Sequence, residues 1–269
     1  MKKSTKRVLL ALAAATLLFV LTGCGTGQVT GTDGNIWDNI VWYFGLAIKQ
    51  LSFGGNYGIG IIIFTIIIRI ILLPLMHFQT KSMRKTQELS ADVKKIQAKY
   101  GKSSKQGQEE IQRLYAENNV NPYLGCLPLL VQMPVMMGIF QALQRIPELS
   151  QGHFLWFSLS EADPIFVLPI LAALFTLASS WLNMLASPEQ NGMTKTMTFG
   201  MPVMIFVMSV GVGSGVALYW VISNAFQVAQ TMLINNPFKI KKEREEKVQA
   251  KKDAEKAKRK AMKKAMKKR

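Results

Sequence analysis

The chain has 269 residues, of which 49% are hydrophobic, and its formal net charge is +17 at pH 7. Several apolar runs approach the roughly 20 residues with which a helix crosses a bilayer core of about 30 Å, and this excludes an ordinary soluble domain. With two cysteines and no phosphate-binding loop in the sequence, a disulfide framework, a metal cluster and a nucleotide cofactor are not expected.

The N-terminus has the pattern of a secretory signal. Basic residues within 2–7 precede an apolar stretch over residues 8–21, and Leu21-Thr22-Gly23-Cys24 follows. This ending resembles a bacterial lipobox. The resemblance implies that residues 1–23 are a lipoprotein signal peptide and that Cys24 receives a diacylglyceryl anchor with palmitate-like chains, holding the N-terminus outside. An uncleaved first helix is the alternative, although 14 apolar residues are few for a span.

Residues 24–57 are predicted to form an extracytoplasmic segment with one amphipathic helix. Apolar residues recur at helical spacing, at Ile36, Ile40, Phe44, Ala47 or Ile48, and Leu51. The aromatic side chains of Trp37, Trp42 and Tyr43 suit a membrane interface, so we expect the helix to lie on the outer surface. A packed connector with no membrane role is the alternative.

The predicted fold is an all-α integral membrane protein with five transmembrane helices, a cytoplasmic helical hairpin and a hydrophilic groove. The spans are predicted at residues 58–78, 123–144, 164–186, 197–210 and 216–235. The first span is expected to end near Pro74. The fourth span has about 14 apolar residues, or about 21 Å of helix, which predicts local thinning of the bilayer or burial.

The polar segments between the spans set the predicted topology. Residues 79–122 carry nine Lys and Arg and two helical apolar stripes, separated by Gly101 to Gly107; they predict a helical hairpin, with a solvated loop as the alternative. Because basic segments stay inside, this hairpin, the loop 187–196 and the tail 236–269 are placed in the cytoplasm of a bacterial cell, and the loop 145–163 outside.

Arg69 is the sharpest signal of function, because it lies alone in the apolar run 59–76. An arginine at the centre of a bilayer costs roughly 2.5–3.5 kcal/mol, so it must face protein or water. None of the predicted spans contains Asp or Glu. Counting about 1.5 Å per residue brings Thr65, Gln132, Asn224 and Gln227 to a similar depth. Trp220 begins the stripe of the fifth span to which Asn224 and Gln227 belong. A hydrated chamber is predicted, and amide bonds that merely join helices are the alternative.

Three sequence blocks resemble the YidC-type membrane protein insertases, in the Gram-positive form with a lipoprotein signal. They are Ile66-Ile67-Ile68-Arg69 followed by Leu72-Leu73-Pro74-Leu75, Asn121-Pro122 followed by Gly125-Cys126-Leu127-Pro128-Leu129-Leu130-Val131-Gln132-Met133-Pro134, and Leu218-Tyr219-Trp220 followed by Asn224 and Gln230. The resemblance implies a groove open to the cytoplasm and to lipid but closed outside. It also implies that Arg69 receives the polar, often acidic, segment of a client, without any bond made or broken. The chain departs from the family in lacking a large extracytoplasmic domain and a proline near Gly213-Ser214-Gly215.

The implied partners are nascent membrane proteins and the lipid bilayer, with the Sec translocon left open and no DNA. The tail 236–269 carries 16 Lys and Arg against 5 acidic residues, which predicts ribosome contact. A topology anchor or attraction to anionic lipid are the alternatives for the tail. For the whole protein, an anion channel or transporter centred on Arg69 is the alternative, although no repeat is visible. A hydrolase is disfavoured because His77 and His153 fall near or outside membrane boundaries.

Overall fold

The computed structural model describes residues 27–32, 34–101, 103–121, 127–187, 192–234 and 236–267. The predicted signal peptide of residues 1–23 and the predicted lipidation site Cys24 lie outside these ranges. Helices dominate the described residues, so the prediction of a mostly helical protein is confirmed. The helices longer than one turn are α1 (Ile36–Gln50), α2 (Tyr57–Glu88), α3 (Ser90–Tyr100), α4 (Lys105–Glu117), α5 (Leu127–Arg145), α6 (Val167–Ala186), α7 (Gly192–Val210), α8 (Ser214–Ile234) and α9 (Pro237–Lys267).

Helix α1 begins at Ile36 because Asn35 caps it, its side chain accepting a hydrogen bond of 2.8 Å from the Asp38 amide. The helix packs against α2 and α5. Ile36 is 77% exposed, whereas Trp37 is only 6% exposed. The predicted interfacial role of Trp37 is therefore wrong. The buried face is rotated because Gly45 lets the Ile146 side chain come so close that a Cβ would overlap it.

Helix α2 has 32 residues and runs without a break through Pro74 to Glu88. The helix itself continues beyond Pro74, and the end of the first membrane span near this proline stays a prediction. A proline inside a helix removes one backbone hydrogen bond. In apolar surroundings every other backbone group still needs its helical partner, so continuing the helix costs less than stopping it. The predicted span 58–78 is thus the first part of a longer helix that leads into the hairpin.

Helices α3 and α4 pack against each other as an antiparallel pair. The turn between them contains Gly101 at a φ of +86°, a conformation that favours glycine. Ser104 caps α4 by accepting a hydrogen bond of 2.9 Å from the Gly107 amide. The structure thus contains a pair of helices joined at Gly101, although residues 79–88 of the predicted hairpin belong to α2. The cytoplasmic hairpin stays a prediction.

Helix α8 lies at the centre of the bundle and packs against α2, α5 and α6. Every residue from Ser214 to Val221 is buried. Helix α7 packs mainly on α6 and has 19 residues from Gly192. Its apolar part, Thr198–Val210, is short as expected.

By length and composition, two of the described helices, α2 and α6, are long and apolar enough to cross a membrane. The count of five spans stays a prediction.

The loop between α5 and α6 is folded rather than irregular. It contains a one-turn helix, Pro147–Ser150, and the antiparallel strands β1 (His153–Phe154) and β2 (Phe157–Ser158). Its carbonyls accept hydrogen bonds from the first amides of α8, with Ser214 donating to Glu161 at 2.6 Å and Gly215 to Leu159 at 2.9 Å. The loop therefore covers the N-terminal end of α8 and satisfies its free amides.

Asp163 fixes the end of this loop at the start of α6. Its carboxylate accepts hydrogen bonds from the Leu168 amide at 2.7 Å, the Ile165 amide at 3.2 Å and the Trp156 indole at 2.9 Å. Burial alone would raise the pKa of the Asp163 carboxyl, but these donors outweigh it and hold the pKa below its ordinary value. The ionised carboxylate therefore stabilises the loop.

Arg145, at the end of α5, joins this helix to α1 and to the segment before α1. Its guanidinium lies 2.7 Å from an Asp38 carboxylate oxygen and donates to Gln141 at 2.7 Å and to the Gly27 carbonyl at 2.7 Å. The side chain is 10% exposed, so these bonds replace most of its hydration. Arg145 thus holds α1 against α5.

Candidate functional site

Arg69 lies in the middle of α2 and is partly buried. Its Nη1 donates a hydrogen bond of 3.4 Å to Oε1 of Gln227 on α8. That distance exceeds the usual range, so the bond is weak. Among the ion pairs of the described residues, none includes Arg69. The guanidinium thus meets one neutral amide and keeps an unneutralised positive charge.

Gln132 on α5 reaches the same region through a tyrosine. Its Nε2 donates a hydrogen bond of 2.5 Å to the Tyr219 hydroxyl on α8, and this tyrosine is 2% exposed. Tyr219 is also close enough to Arg69 for an electrostatic interaction. Sequence reasoning missed Tyr219, although a tyrosine at membrane depth needs a partner for its hydroxyl, and that need is a usable signal.

The other three predicted site residues bond within their own helices. Thr65 is 1% exposed and donates to the Ile61 carbonyl at 2.6 Å. Asn224 donates to the Trp220 carbonyl at 2.9 Å, and Trp220 itself is 7% exposed within the core. The structure therefore brings Gln227 to Arg69 directly and Gln132 near it through Tyr219. It gives Thr65, Trp220 and Asn224 no hydrogen bond to the cation.

A polar cavity opens beside this site, between the C-terminal parts of α2, α6 and α8. Its volume is about 370 Å³ including the solvent at its mouth. We call it the Arg84 pocket, and its lining residues are Thr80, Met83, Arg84, Gln87, Asn183, Ala186, Gln227 and Thr231. Gln227 belongs both to this pocket and to the Arg69 contact. The two polar regions are therefore adjoining.

The family model described as 60Kd inner membrane protein matches residues 48–243, which include every residue of both polar regions. The chain belongs to this family. Membrane protein insertase YidC of Enterococcus faecalis is 58% identical over 255 residues, with 93% of each chain covered. Membrane protein insertase YidC 1 of Lactococcus lactis is 56% identical over 257 residues, with 94% of each chain covered. The predicted family is confirmed.

A solved structure supports the same relationship at the level of the fold. It is described as an active YidC insertase crystal structure with the first transmembrane domain resolved. The match has a TM-score of 0.58 and 31% sequence identity, and it covers 76% of this chain and 47% of the other. This chain thus spans about half the length of that solved protein. The family relationship and the apolar helices identify a membrane protein.

Proposed function

We propose that the protein is a membrane protein insertase, which passes the polar segment of a nascent membrane protein across the bilayer and releases its apolar span to lipid. One observation carries the proposal: Arg69 is a partly buried cation that no described carboxylate neutralises and that one long bond holds. Keeping such a charge in an apolar helix is costly. The cost is explained if the counter-charge arrives with a client.

In this proposal Arg69 lowers the barrier for transfer rather than making or breaking a bond. A client carboxylate that leaves water loses its hydration, and the guanidinium offers it two parallel donors. Gln227 and Gln132 supply amide groups beside the cation, and Tyr219 supplies a hydroxyl. Together they replace part of the lost hydration, and a groove that admits water supplies the rest. Thr65, Trp220 and Asn224 belong to the wall behind this contact.

The proposed topology has α2, α5, α6, α7 and α8 as five spans, with the hairpin α3–α4 and the tail helix α9 in the cytoplasm. The distribution of basic residues supports it. The N-terminus lies outside, anchored by a lipid on Cys24. The outer end of the groove is closed by the loop that covers the start of α8, because that loop occupies the first free amides of the helix.

The proposed partners follow from this topology. Clients are nascent membrane proteins, and the Sec translocon is a further candidate. The ribosome contacts helix α9, whose exposed basic residues suit a polyanion. The base of α9 is fixed to α6, since Phe238 packs on Trp181 and Arg244 donates to the Ala186 carbonyl at 3.1 Å.

Because the base is docked, the ribosome test removes only residues 248–269. This truncation is expected to weaken co-sedimentation with ribosomes and to flatten its salt dependence. Unchanged binding and an unchanged salt slope would exclude the tail as the contact, leaving it as a topology anchor or a lipid-binding segment.

The decisive experiment for the function uses the purified protein alone in liposomes. A small single-span client with an acidic leading segment is added, and its insertion is followed by protease protection. In parallel, flux of a small anion is measured with a fluorescent indicator. Insertion without anion flux supports the insertase, whereas flux without insertion supports an anion channel or transporter centred on Arg69. Arg69→Ala is the matched variant in both assays.

A further inference from the structure

A second arginine lies on the same helix as Arg69, fifteen residues further along. Fifteen residues rise about 22 Å and turn the chain through about four turns, so Arg84 faces roughly the same side of α2 as Arg69. Thr80 lies between them on that side, and Gln227 from α8 touches Arg69 and also lines the Arg84 pocket. The two cations therefore stand at the two ends of one polar stripe between α2 and α8.

Some polar side chains of the Arg84 pocket already have hydrogen-bond partners in the described part of the chain, and others do not. The hydroxyls of Thr80 and Thr231 donate to carbonyls of their own helices, at 2.8 Å each. Within the described residues, the side chains of Arg84, Gln87 and Asn183 make neither a hydrogen bond nor an ion pair, although all three line the cavity and are partly buried. A guanidinium with two amides is a set of donors that suits a carboxylate.

The base of helix α9 stands at the rim of this pocket. Ala186, which lines the cavity, accepts the hydrogen bond of Arg244, and this bond occupies a carbonyl at the negative end of α6. The carboxylates that interact electrostatically with Arg84 are Glu88, one turn along α2, and Glu243 of α9. Neither forms a direct ion pair with Arg84. The cation is thus attracted to a carboxylate of the chain's own tail without being neutralised by it.

We propose that the Arg84 pocket is a receiving site for a carboxylate of an incoming client segment, which binds there before it reaches Arg69. The proposal rests on the insertase function proposed above and adds an earlier binding site for the client. Glu243 competes for the same cation from the rim of the pocket. An acidic client that enters the pocket therefore replaces Glu243 as the carboxylate that attracts Arg84. Gln227, shared by both regions, then leads the segment from Arg84 to Arg69.

The test compares single substitutions in the full-length protein reconstituted in liposomes of phosphatidylcholine alone and in liposomes that also contain phosphatidylglycerol. Arg84→Gln removes the cation of the pocket, and Glu243→Gln removes the competing carboxylate. Lys85→Gln is the matched control, because Lys85 is the next residue on α2, is exposed and lies outside the pocket. Each variant receives two versions of one single-span client, with a leading Asp-Asp or Asn-Asn pair, and initial insertion rates are measured.

Arg84→Gln is expected to slow the Asp-Asp client about fivefold, which corresponds to roughly 1 kcal/mol, and to leave the Asn-Asn client unchanged. Glu243→Gln is expected to speed the Asp-Asp client, a gain that misfolding cannot produce. Lys85→Gln is expected to change neither rate.

Three results would overturn the proposal. They are equal slowing of both clients by Arg84→Gln, equal effects of Arg84→Gln and Lys85→Gln, and slowing that appears only when anionic phosphatidylglycerol is present. The third result would assign the pocket to a lipid phosphate. Failure of the wild-type protein to insert either client would instead refute the insertase function itself.

Discussion

Replacing Arg69 with alanine is expected to impair insertion of acidic clients far more than it destabilises the fold. The fold loses one bond of 3.4 Å to a neutral amide, which contributes less than about 1 kcal/mol, and it also loses the cost of burying a charge. An acidic client loses a charge-assisted bond of about 1.5–3 kcal/mol, or roughly 10- to 150-fold in rate. Arg69→Lys should keep much of the activity, and Arg69→Glu should be worse than alanine.

The assay pairs each Arg69 variant with clients whose leading segment is acidic, neutral or basic, in liposomes, while thermal unfolding of the purified variants is followed. Weakly hydrophobic clients are used, because a strongly apolar span supplies its own partition energy. The expected result is a loss ordered by client charge, with a small change in Tm. Equal losses for all three clients that track a fall in Tm would refute the electrostatic role and make Arg69 a structural tether to Gln227.

Three further outcomes are expected. A photo-crosslinker at Leu89 in the hairpin should capture a nascent chain earlier than one at Gln132, and simultaneous capture would contradict this order. Arg145→Ala should lower the free energy of unfolding by about 2–4 kcal/mol, because its partners lose a buried charge-assisted contact. Lys49→Ala breaks a more exposed ion pair and should lower it by less than about 1 kcal/mol. Equal losses for the two variants would argue against this account of Arg145. Since the pKa of Asp163 is held below its ordinary value, its bonds stabilise the protein above the ordinary carboxyl range and are lost as the pH falls through the folded-state pKa. Thermal unfolding between neutral pH and about pH 3 should therefore show a weaker acid dependence for Asp163→Asn than for the wild type, and an unchanged dependence would contradict it.

The positions of helices and breaks were predictable because they depend on local patterns. Apolar spacing predicted α1 and the hairpin helices, and glycine-rich segments predicted the turn at Gly101 and the separation of α7 from α8. Backbone preferences act over a few residues, so a single sequence carries them. Family membership was predictable for the same reason, since short ordered blocks identified it.

Features that depend on packing between residues far apart in the sequence were not predicted. The buried side of α1 depends on Gly45 and on Ile146, which lies 101 residues later in the chain. The folded loop between α5 and α6 depends on carbonyls that meet the start of α8. Continuation of α2 through Pro74 depends on the environment of the helix, which outweighs the local preference of proline.

Within the candidate site, counting residues by depth predicted that Gln227 comes level with Arg69, and the structure places them in contact. The same count put Gln132 nearby but could not identify Tyr219 as its partner. Counting residues gives the depth of a side chain and not the side of the helix on which it lies. Arg84 was counted only among the basic residues of the hairpin segment. Its place in a pocket became visible once α6 and α8 were packed beside α2.

Unbroken α2 has a mechanical consequence. From Arg69 to Glu88 the helix extends about 28 Å, and Pro74 is the point along it where a backbone bond is missing. A force on the hairpin α3–α4 is therefore transmitted to Arg69 through helix α2, which bends most easily at Pro74. Tilting the part of α2 between Pro74 and Glu88 by about 10° would displace Glu88 by roughly 4 Å, because this part is 14 residues long. Pro74→Ala would make the helix stiffer at this position. Distances between spin labels at the hairpin and near Arg69, measured with and without a stalled client, would report whether α2 bends.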